Sequence, residues 1–333
     1  MQLLFAQPLI TTSSAHLVSL GLCAAYVGSL YLSKNARIKF SHGHAKGSLN
    51  GPNGYDERGR DHPDVIRARL VAVSIATVLC CLGVFGVIFY HIGADWKNLG
   101  IATKATALRL GLHLSFSSST IDVLPHLVVP FLFFGPLFAS YLGGQLPGQR
   151  YWTWQRNVAE RFFGIMGLRT YWVGPITEEI VFRACVLSVY HLSGASRYRM
   201  IFLGPLTFGL AHVHHAWETF NRYGRNVAAA KRAIFSSIFQ FAYTTLFGFL
   251  ASFLFLRTGS IFPPITAHIF CNTIGVPELT WELRRYPKQK KAIIIAYLIG
   301  IAGFVYTLLP WTKTNDNFYW AQDGDPRHSS AKY

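Results

Sequence analysis

Three ionisable residues lie close together in an otherwise apolar stretch of the chain, and their spacing suggests acid–base chemistry. Glu178, Glu179 and Arg183 fall within the apolar segment 171–192, where a charged group at membrane depth costs at least about 2.5 kcal/mol. On an α-helix Glu179 and Arg183 share a face and can pair, whereas Glu178 is turned about 100° away. Glu178 is therefore predicted to act as a general base or acid. An ion pair that only fixes packing is the alternative for Glu179 and Arg183.

Two histidines and an asparagine lie in apolar segments further along the chain. His212 falls in segment 198–215, while His268 and Asn272 share one face of segment 259–275. Taken singly, each histidine also fits a hydrogen-bonded core residue. Together with Glu178, the set suits hydrolysis of a peptide or an ester. In that reaction a carboxylate activates water, and hydrogen-bond donors stabilise the tetrahedral oxyanion.

The same residue types leave two other chemistries open. A glutamate and two histidines can bind zinc, but the chain has no His-Glu-x-x-His sequence. We predict no stable metal and no cofactor. Cys185 and Cys271 lie near the same groups, but apolar surroundings disfavour the thiolate, so both are interpreted as core residues.

The composition indicates which elements must position these residues. Of the 333 residues, 51% are apolar and only 14% are charged, whereas about 25% are charged in soluble proteins. This excludes an ordinary soluble enzyme and a disordered chain. We predict an all-α, polytopic membrane helix bundle, with one integral membrane domain over 1–333, catalytic helices over 170–275 and a polar tail at 311–333. Eight apolar segments are each predicted to cross the bilayer, namely 16–33, 65–91, 123–146, 171–192, 198–215, 233–257, 259–275 and 292–310.

The basic residues predict which side of the membrane each loop occupies. With eight spans, the loops 34–69, 147–170, 216–232 and 276–291 lie on one side and carry 21 of the 31 Lys and Arg residues, against 9 on the other side. This bias places the 21 in the cytosol. The same bias accounts for the net charge of +16, so a nucleic-acid partner is not needed to explain that charge. Anionic lipid headgroups are expected to contact one cluster of five basic residues, namely Arg284, Arg285, Lys288, Lys290 and Lys291.

The depth of the polar residues follows from this orientation. Counted at 1.5 Å per residue from the cytosolic ends, Glu178, His212, His268 and Asn272 lie about 10, 6, 12 and 6 Å deep. All four fall in the cytosolic half of the bilayer. The sequence therefore predicts one polar cavity that opens to the cytosol.

Three short motifs resemble those of a known protease superfamily. The stretches Glu178-Glu179-x-x-x-Arg183, Phe208-x-x-x-His212 and His268-x-x-x-Asn272 are similar to the CAAX-processing and bacteriocin-processing proteases. Gly174-Pro-Ile-Thr-Glu-Glu-Ile-Val-Phe-Arg183 and Ala211-His-Val-His-His215 are closer to its eukaryotic branch, the type II CAAX prenyl endopeptidases. The resemblance covers about 170–275.

The resemblance implies an intramembrane endopeptidase of the endoplasmic reticulum with its active site towards the cytosol. It would remove the last three residues of prenylated Cys-a-a-X proteins, such as Ras-like small GTPases or peptide pheromones. By the same resemblance Glu178 activates water, His212 positions it, His268 and Asn272 stabilise the oxyanion, and Glu179 and Arg183 support the site.

Two other functions fit part of the pattern. Buried Glu, His and Arg residues also form proton relays in transporters, but such proteins show repeat symmetry, which is absent from this sequence. A non-catalytic scaffold of the same superfamily is the other alternative. The intact motifs argue against it, because a scaffold would not need them.

Overall fold

A computed structural model describes residues 5–39, 58–112, 123–314 and 317–320. These residues form helices and no strand, apart from one isolated antiparallel bridge between Lys39 and Arg58. The predicted all-α class is thus confirmed. The polar C-terminal tail lies outside the described residues from 321 onwards.

Two long antiparallel helices, α1 (Thr12–Leu32) and α2 (Pro63–His91), pack together near the start of the chain. The Thr11 hydroxyl caps α1 by accepting a hydrogen bond from the Ser14 amide. Helix α2 begins at Pro63, a position where proline loses no hydrogen bond. The outward face of α2 is apolar, as lipid contact requires, since Val71, Ile75, Val78, Leu79 and Leu82 are each more than half exposed.

The third predicted span is not one straight helix. The chain forms α3 (Leu99–Arg109), then α4 (Leu124–Leu132) and α5 (Phe134–Leu142), and the last two are bent by 65° relative to each other. Pro136 explains the bend, because it has no N–H for the Leu132 carbonyl and its ring clashes with that group. The predicted apolar segment 123–146 is thus helical over Leu124–Leu142 with a break at Phe133, and whether it crosses the membrane as one span stays a prediction.

Residues 99–114 place Ile101, Ala105, Leu108 and Leu112 at helical spacing, which predicts an amphipathic helix. Helix α3 confirms that helix as far as residue 109. Its buried face carries Ala102, Ala105 and Arg109, whereas Ile101 is 50% exposed. The buried stripe is therefore rotated from the predicted one, although Ala105 belongs to both.

The predicted fourth span is a continuous helical run over 165–192 in which α-helical and π-helical turns alternate. It contains α7 (Ile165–Gly167), α8 (Gly174–Glu179) and α9 (Val186–Leu192), separated by π-helical turns at Leu168–Val173 and Ile180–Cys185. The short α6 (Arg161–Phe163) precedes it. Every residue from 181 to 192 is buried, so this run forms the centre of the bundle.

Shorter helices surround that central run. They are α10 (Arg197–Phe202), α11 (Gly204–Ala211) and α12 (His215–Arg222). The long α13 (Val227–Thr258) then crosses the bundle and ends at Gly259, whose φ of 67° is a left-handed conformation that favours glycine. Helix α14 (Phe262–Ile274) follows, with Pro263 and Pro264 in its first turn, where neither proline breaks a helical hydrogen bond. The last helices are α15 (Leu279–Arg285) and α16 (Lys290–Trp311).

Within the part of the chain that the structure describes, four helices are long and apolar enough to cross a membrane: Thr12–Leu32, Pro63–His91, Val227–Thr258 and Pro287–Trp311. The bent pair α4 and α5 adds a fifth if it counts as one span. The chain is therefore a multi-pass membrane protein. The predicted segments 171–192, 198–215 and 259–275 correspond to interrupted or shorter helices, so the count of eight stays a prediction.

Two side-chain hydrogen bonds tie α1 to the central run, and one of them joins His16 Nδ1 to the Tyr190 hydroxyl at 2.8 Å. The Tyr26 hydroxyl is 2.9 Å from Thr177 Oγ1, and Thr177 itself donates to the Val173 carbonyl at 2.7 Å. We expect Tyr26→Phe to lower the free energy of unfolding by about 1 kcal/mol, measured by denaturant unfolding in detergent micelles. Tyr90→Phe, at a tyrosine 74% exposed, is the control. An equal loss in both variants would contradict this assignment.

Candidate active site

Glu178 and Glu179 are the last two residues of α8, and Arg183 lies in the π-helical turn that follows. Arg183 Nε is 3.0 Å from Glu179 Oε2, and neither side chain has any exposed surface. The ion pair predicted from the spacing is therefore present. Glu178 points elsewhere, and 24% of its side chain is exposed.

Two aromatic rings complete the surroundings of Arg183. Its guanidinium carbon lies 4.2 Å from the centre of the Phe208 ring and 5.6 Å from that of Phe247. Within the described part of the chain, none of its N–H groups makes a hydrogen bond of good geometry. Its charge is therefore met by Glu179 and by the faces of two rings.

His268 connects the two glutamates. Its Nδ1 is 2.7 Å from Glu179 Oε1, and its Nε2 is 3.9 Å from Glu178 Oε2. An ionised carboxylate only accepts hydrogen bonds, so Nδ1 donates to Glu179 and this bond fixes the orientation of the ring. The other nitrogen is thereby aimed at Glu178, which sequence spacing alone had left without a partner.

His212 follows the end of α11. Its Nδ1 donates to the Phe208 carbonyl at 2.8 Å, which leaves Nε2 of a neutral ring as an acceptor. The Phe208 ring separates the two histidines, with centroid distances of 4.7 Å to His212 and 6.3 Å to His268. His212 also lies within electrostatic reach of Glu178. The structure thus places His212 and His268, two of the predicted site residues, next to the same Phe208 ring.

Asn272 lies one helical turn after His268 on α14. Its Nδ2 donates to the Thr170 carbonyl at 2.8 Å. A side-chain amide has two N–H groups, so one of them stays available. The bond to Thr170 links α14 to the π-helical turn Leu168–Val173, which precedes the glutamates.

Two supporting residues were missed by sequence reasoning, and the position of a third was not predicted. Phe247 and Thr170 carry no local signal, since one is an apolar residue in an apolar helix and the other contributes only its backbone carbonyl. Phe208 was noted as part of a motif, but its position over Arg183 depends on the packing of α11 against the central run.

Cys185 and Cys271 do not have the surroundings of a catalytic nucleophile. Cys185 Sγ lies 3.8 Å from Cys81 Sγ, with Cys185 fully buried, and Cys271 is half-buried on α14. Among the described residues, neither thiol makes a hydrogen bond to a histidine. Among the residues that the structure describes, no three His, Cys, Asp or Glu side chains converge as ligands of a metal ion would.

A partly exposed carboxylate, a histidine oriented by a second carboxylate, and an amide donor lie together in a membrane-embedded helix bundle, and these are residue types that hydrolases use. A model of the family described as "Type II CAAX prenyl endopeptidase Rce1-like" matches residues 160–274, which include every residue of this site. The chain belongs to this family and is a protease.

Sequence identity to named relatives supports the same family assignment. The chain is 30% identical over 314 residues to "Probable CAAX prenyl protease 2" of Schizosaccharomyces pombe, covering 94% of this chain and 97% of that protein. It is 32% identical over 298 residues to "CAAX prenyl protease 2" of Homo sapiens, covering 88% and 79%. The Arabidopsis thaliana protein of that name is 40% identical over 159 residues, covering 46% and 48%. No solved structure matches the chain.

Proposed function

We propose that this protein is an intramembrane endopeptidase that removes the C-terminal tripeptide from prenylated Cys-a-a-X proteins. The placement of His268 between Glu178 and Glu179 carries the proposal, because it pairs a candidate base with an oriented imidazole. The names of the relatives supply the substrate class, which the residues alone do not. Ras-like GTPases and prenylated peptide pheromones are the substrates we expect.

The reaction begins with water beside Glu178. The carboxylate takes one proton from the water, while Nε2 of His212 accepts a hydrogen bond from the other. The oxygen attacks the carbonyl of the prenylated cysteine, and the proton then passes to the amine of the departing tripeptide. The C–N bond breaks, which leaves a new carboxyl group on the cysteine.

The oxyanion formed in this attack needs hydrogen-bond donors. Nε2 of His268 lies 3.9 Å from Glu178 Oε2, and when it carries a proton it is one donor that we assign to the oxyanion. The second N–H of Asn272 is the other donor that we assign to the oxyanion.

Asn272→Ala tests the second donor. We expect kcat to fall about 10²-fold with little change in KM, because the lost bond forms only in the transition state. The adjacent Thr273→Val is the matched control, since the Thr273 hydroxyl donates only to the Ile269 carbonyl at 2.7 Å. A rise in KM alone would assign Asn272 to substrate binding instead.

We place the chain in the endoplasmic reticulum membrane, with eight spans and a polar cavity open to the cytosol. The positive-inside bias of the loops supports this orientation. It also suits the substrate, since a prenyl chain partitions into hydrocarbon while the tripeptide and water come from the aqueous side.

The test of the function is release of the tripeptide from a farnesylated Cys-a-a-X peptide by the purified protein, detected by mass spectrometry. Release that needs the farnesyl group and persists in chelator supports the proposal. Loss of release in chelator, with recovery on adding zinc, would refute the metal-free mechanism. Proton-coupled flux in liposomes without any proteolysis would favour a transporter, and biological function after Glu178→Ala would favour a scaffold.

A further inference from the structure

Arg161 is a basic residue that the proposed mechanism does not use, and it joins two segments of the site. It is the first residue of α6. Its Nε donates to the Tyr171 hydroxyl at 2.9 Å, and its Nη2 donates to the carbonyl of Thr273, 112 residues away along the chain. One guanidinium therefore connects the π-helical turn before the glutamates with the last turn of α14.

The backbone that carries Arg161 is held against the central run. A Cβ at Gly167 would be only 2.3 Å from the Arg161 carbonyl oxygen, so the start of that run packs directly on the backbone of α6. Trp172 Nε1 donates to the Phe162 carbonyl at 3.2 Å, and the rings of Phe162 and Tyr171 lie 4.6 Å apart. The guanidinium therefore reaches towards α14 from a backbone whose position is fixed by its neighbours.

The Thr273 carbonyl needs a donor from outside its own helix. It is one of the last four carbonyls of α14 (Phe262–Ile274), and a helix has no internal N–H groups for these. The Gly275 amide donates to the Cys271 carbonyl at 2.8 Å and leaves Thr273 to another partner. A cation also interacts favourably with the negative end of the helix dipole. Arg161 supplies both the donor and the positive charge.

Asn272, the residue before Thr273, is the amide that we assign to the oxyanion. Its Nδ2 donates to the Thr170 carbonyl at 2.8 Å. Two consecutive residues of α14 thus contact two consecutive residues of the π-helical turn, since Thr273 is joined to Tyr171 through Arg161. Two adjacent contacts fix both the position and the rotation of this end of α14, whereas one contact would leave it free to pivot.

We infer that Arg161 is a positioning residue, which holds the end of α14 so that the remaining N–H of Asn272 points at the oxyanion. This inference rests on the proposed function, which gives Asn272 its role. Arg161 touches no reacting atom, but a misplacement of about 1 Å in a catalytic group can cost about 10²-fold in rate. Loosening α14 would therefore lower the rate although Asn272 is still present.

The first test measures tripeptide release from a farnesylated peptide by the full chain and by Arg161→Gln. We expect kcat to fall about 10-fold with KM within about twofold, because the oxyanion forms only in the transition state. Arg156→Gln is the matched control and should keep the wild-type rate. Arg156 is exposed in the preceding π-helical turn, and among the described residues its side chain makes no hydrogen bond. A rise in KM with unchanged kcat would overturn the inference.

A double-mutant cycle with Asn272→Ala separates positioning from a general loss of structure. If Arg161 acts through Asn272, then Arg161→Gln should cost less than about twofold in kcat once the amide is absent. A loss of about 10-fold in both backgrounds would overturn the inference. If Arg161→Gln fails to fold, Tyr171→Phe takes its place, since it removes only the acceptor of Arg161 Nε. It should lower kcat about threefold, and this loss should likewise disappear in the Asn272→Ala background.

Hydrogen exchange separates this inference from the proposed reaction. Exchange of the amides over 268–276 is followed by mass spectrometry in detergent without substrate. We expect about five- to tenfold faster exchange in Arg161→Gln than in the wild type or in Arg156→Gln, as the loss of such hydrogen bonds implies. Faster exchange supports the inference even if the wild type releases no tripeptide, an outcome that would refute only the proposed function. Unchanged exchange overturns the inference, because α14 would then be held without Arg161.

Discussion

Glu178→Gln is expected to lower kcat for tripeptide release by about 10²- to 10⁴-fold, the range that a general base contributes. Glutamine keeps the shape of the side chain but cannot take a proton from water. Because Glu178 is not part of the buried ion pair, the fold should survive the change. Single-turnover assays with a farnesylated peptide, together with thermal unfolding, measure both effects.

Glu160→Gln is the control for this experiment, since Glu160 is exposed and lies at the start of the matched region. It should cleave as the wild type does. A Glu178→Gln protein that is folded and retains more than about a tenth of the wild-type rate would exclude Glu178 as the base. The water would then have to be activated by another group, with His268 the first candidate.

Arg183→Met is expected to destabilise the protein by about 3–5 kcal/mol, because it leaves a fully buried carboxylate without its cation. Glu179 would keep only its contact with His268 at 2.7 Å. Denaturant unfolding in micelles measures the loss. Arg67→Met, which breaks an exposed ion pair, should cost no more than about 1 kcal/mol.

The double variant Glu179→Gln with Arg183→Met separates charge from shape. It removes both charges, so it should be more stable than Arg183→Met alone, as a double-mutant cycle would report. If the two losses add without coupling, the ion pair is not what holds the α8 region in place. Packing of Arg183 against Phe208 and Phe247 would then account for the effect.

Short-range features of the site follow from the sequence. The pairing of Glu179 with Arg183 depends on helical spacing, which places residues four apart on one face. The all-helical class follows from the apolar composition and the length of the apolar segments. The proline positions in α14 agree with the rule that a first helical turn tolerates proline.

Contacts between distant segments are decided by tertiary structure. His268 is 89 residues from Glu179 along the chain. Local sequence patterns therefore do not predict that the His268 ring lies between Glu178 and Glu179. The close packing of α5 against α16 also joins distant segments, since a Cβ at Gly135 would be 2.2 Å from Tyr297 Cδ2. Apolar helices resemble one another in sequence, so their mutual rotation is not encoded locally.

The sequence by itself determined the helical class, the Glu179–Arg183 pair and the set of polar residues that a hydrolase would use. Tertiary structure alone decided that His268 stands between the two glutamates and that Arg183 is enclosed by Phe208 and Phe247. The physical reason is that spacing along one helix is fixed by its 3.6-residue turn, whereas contact between helices depends on how whole side-chain surfaces interlock.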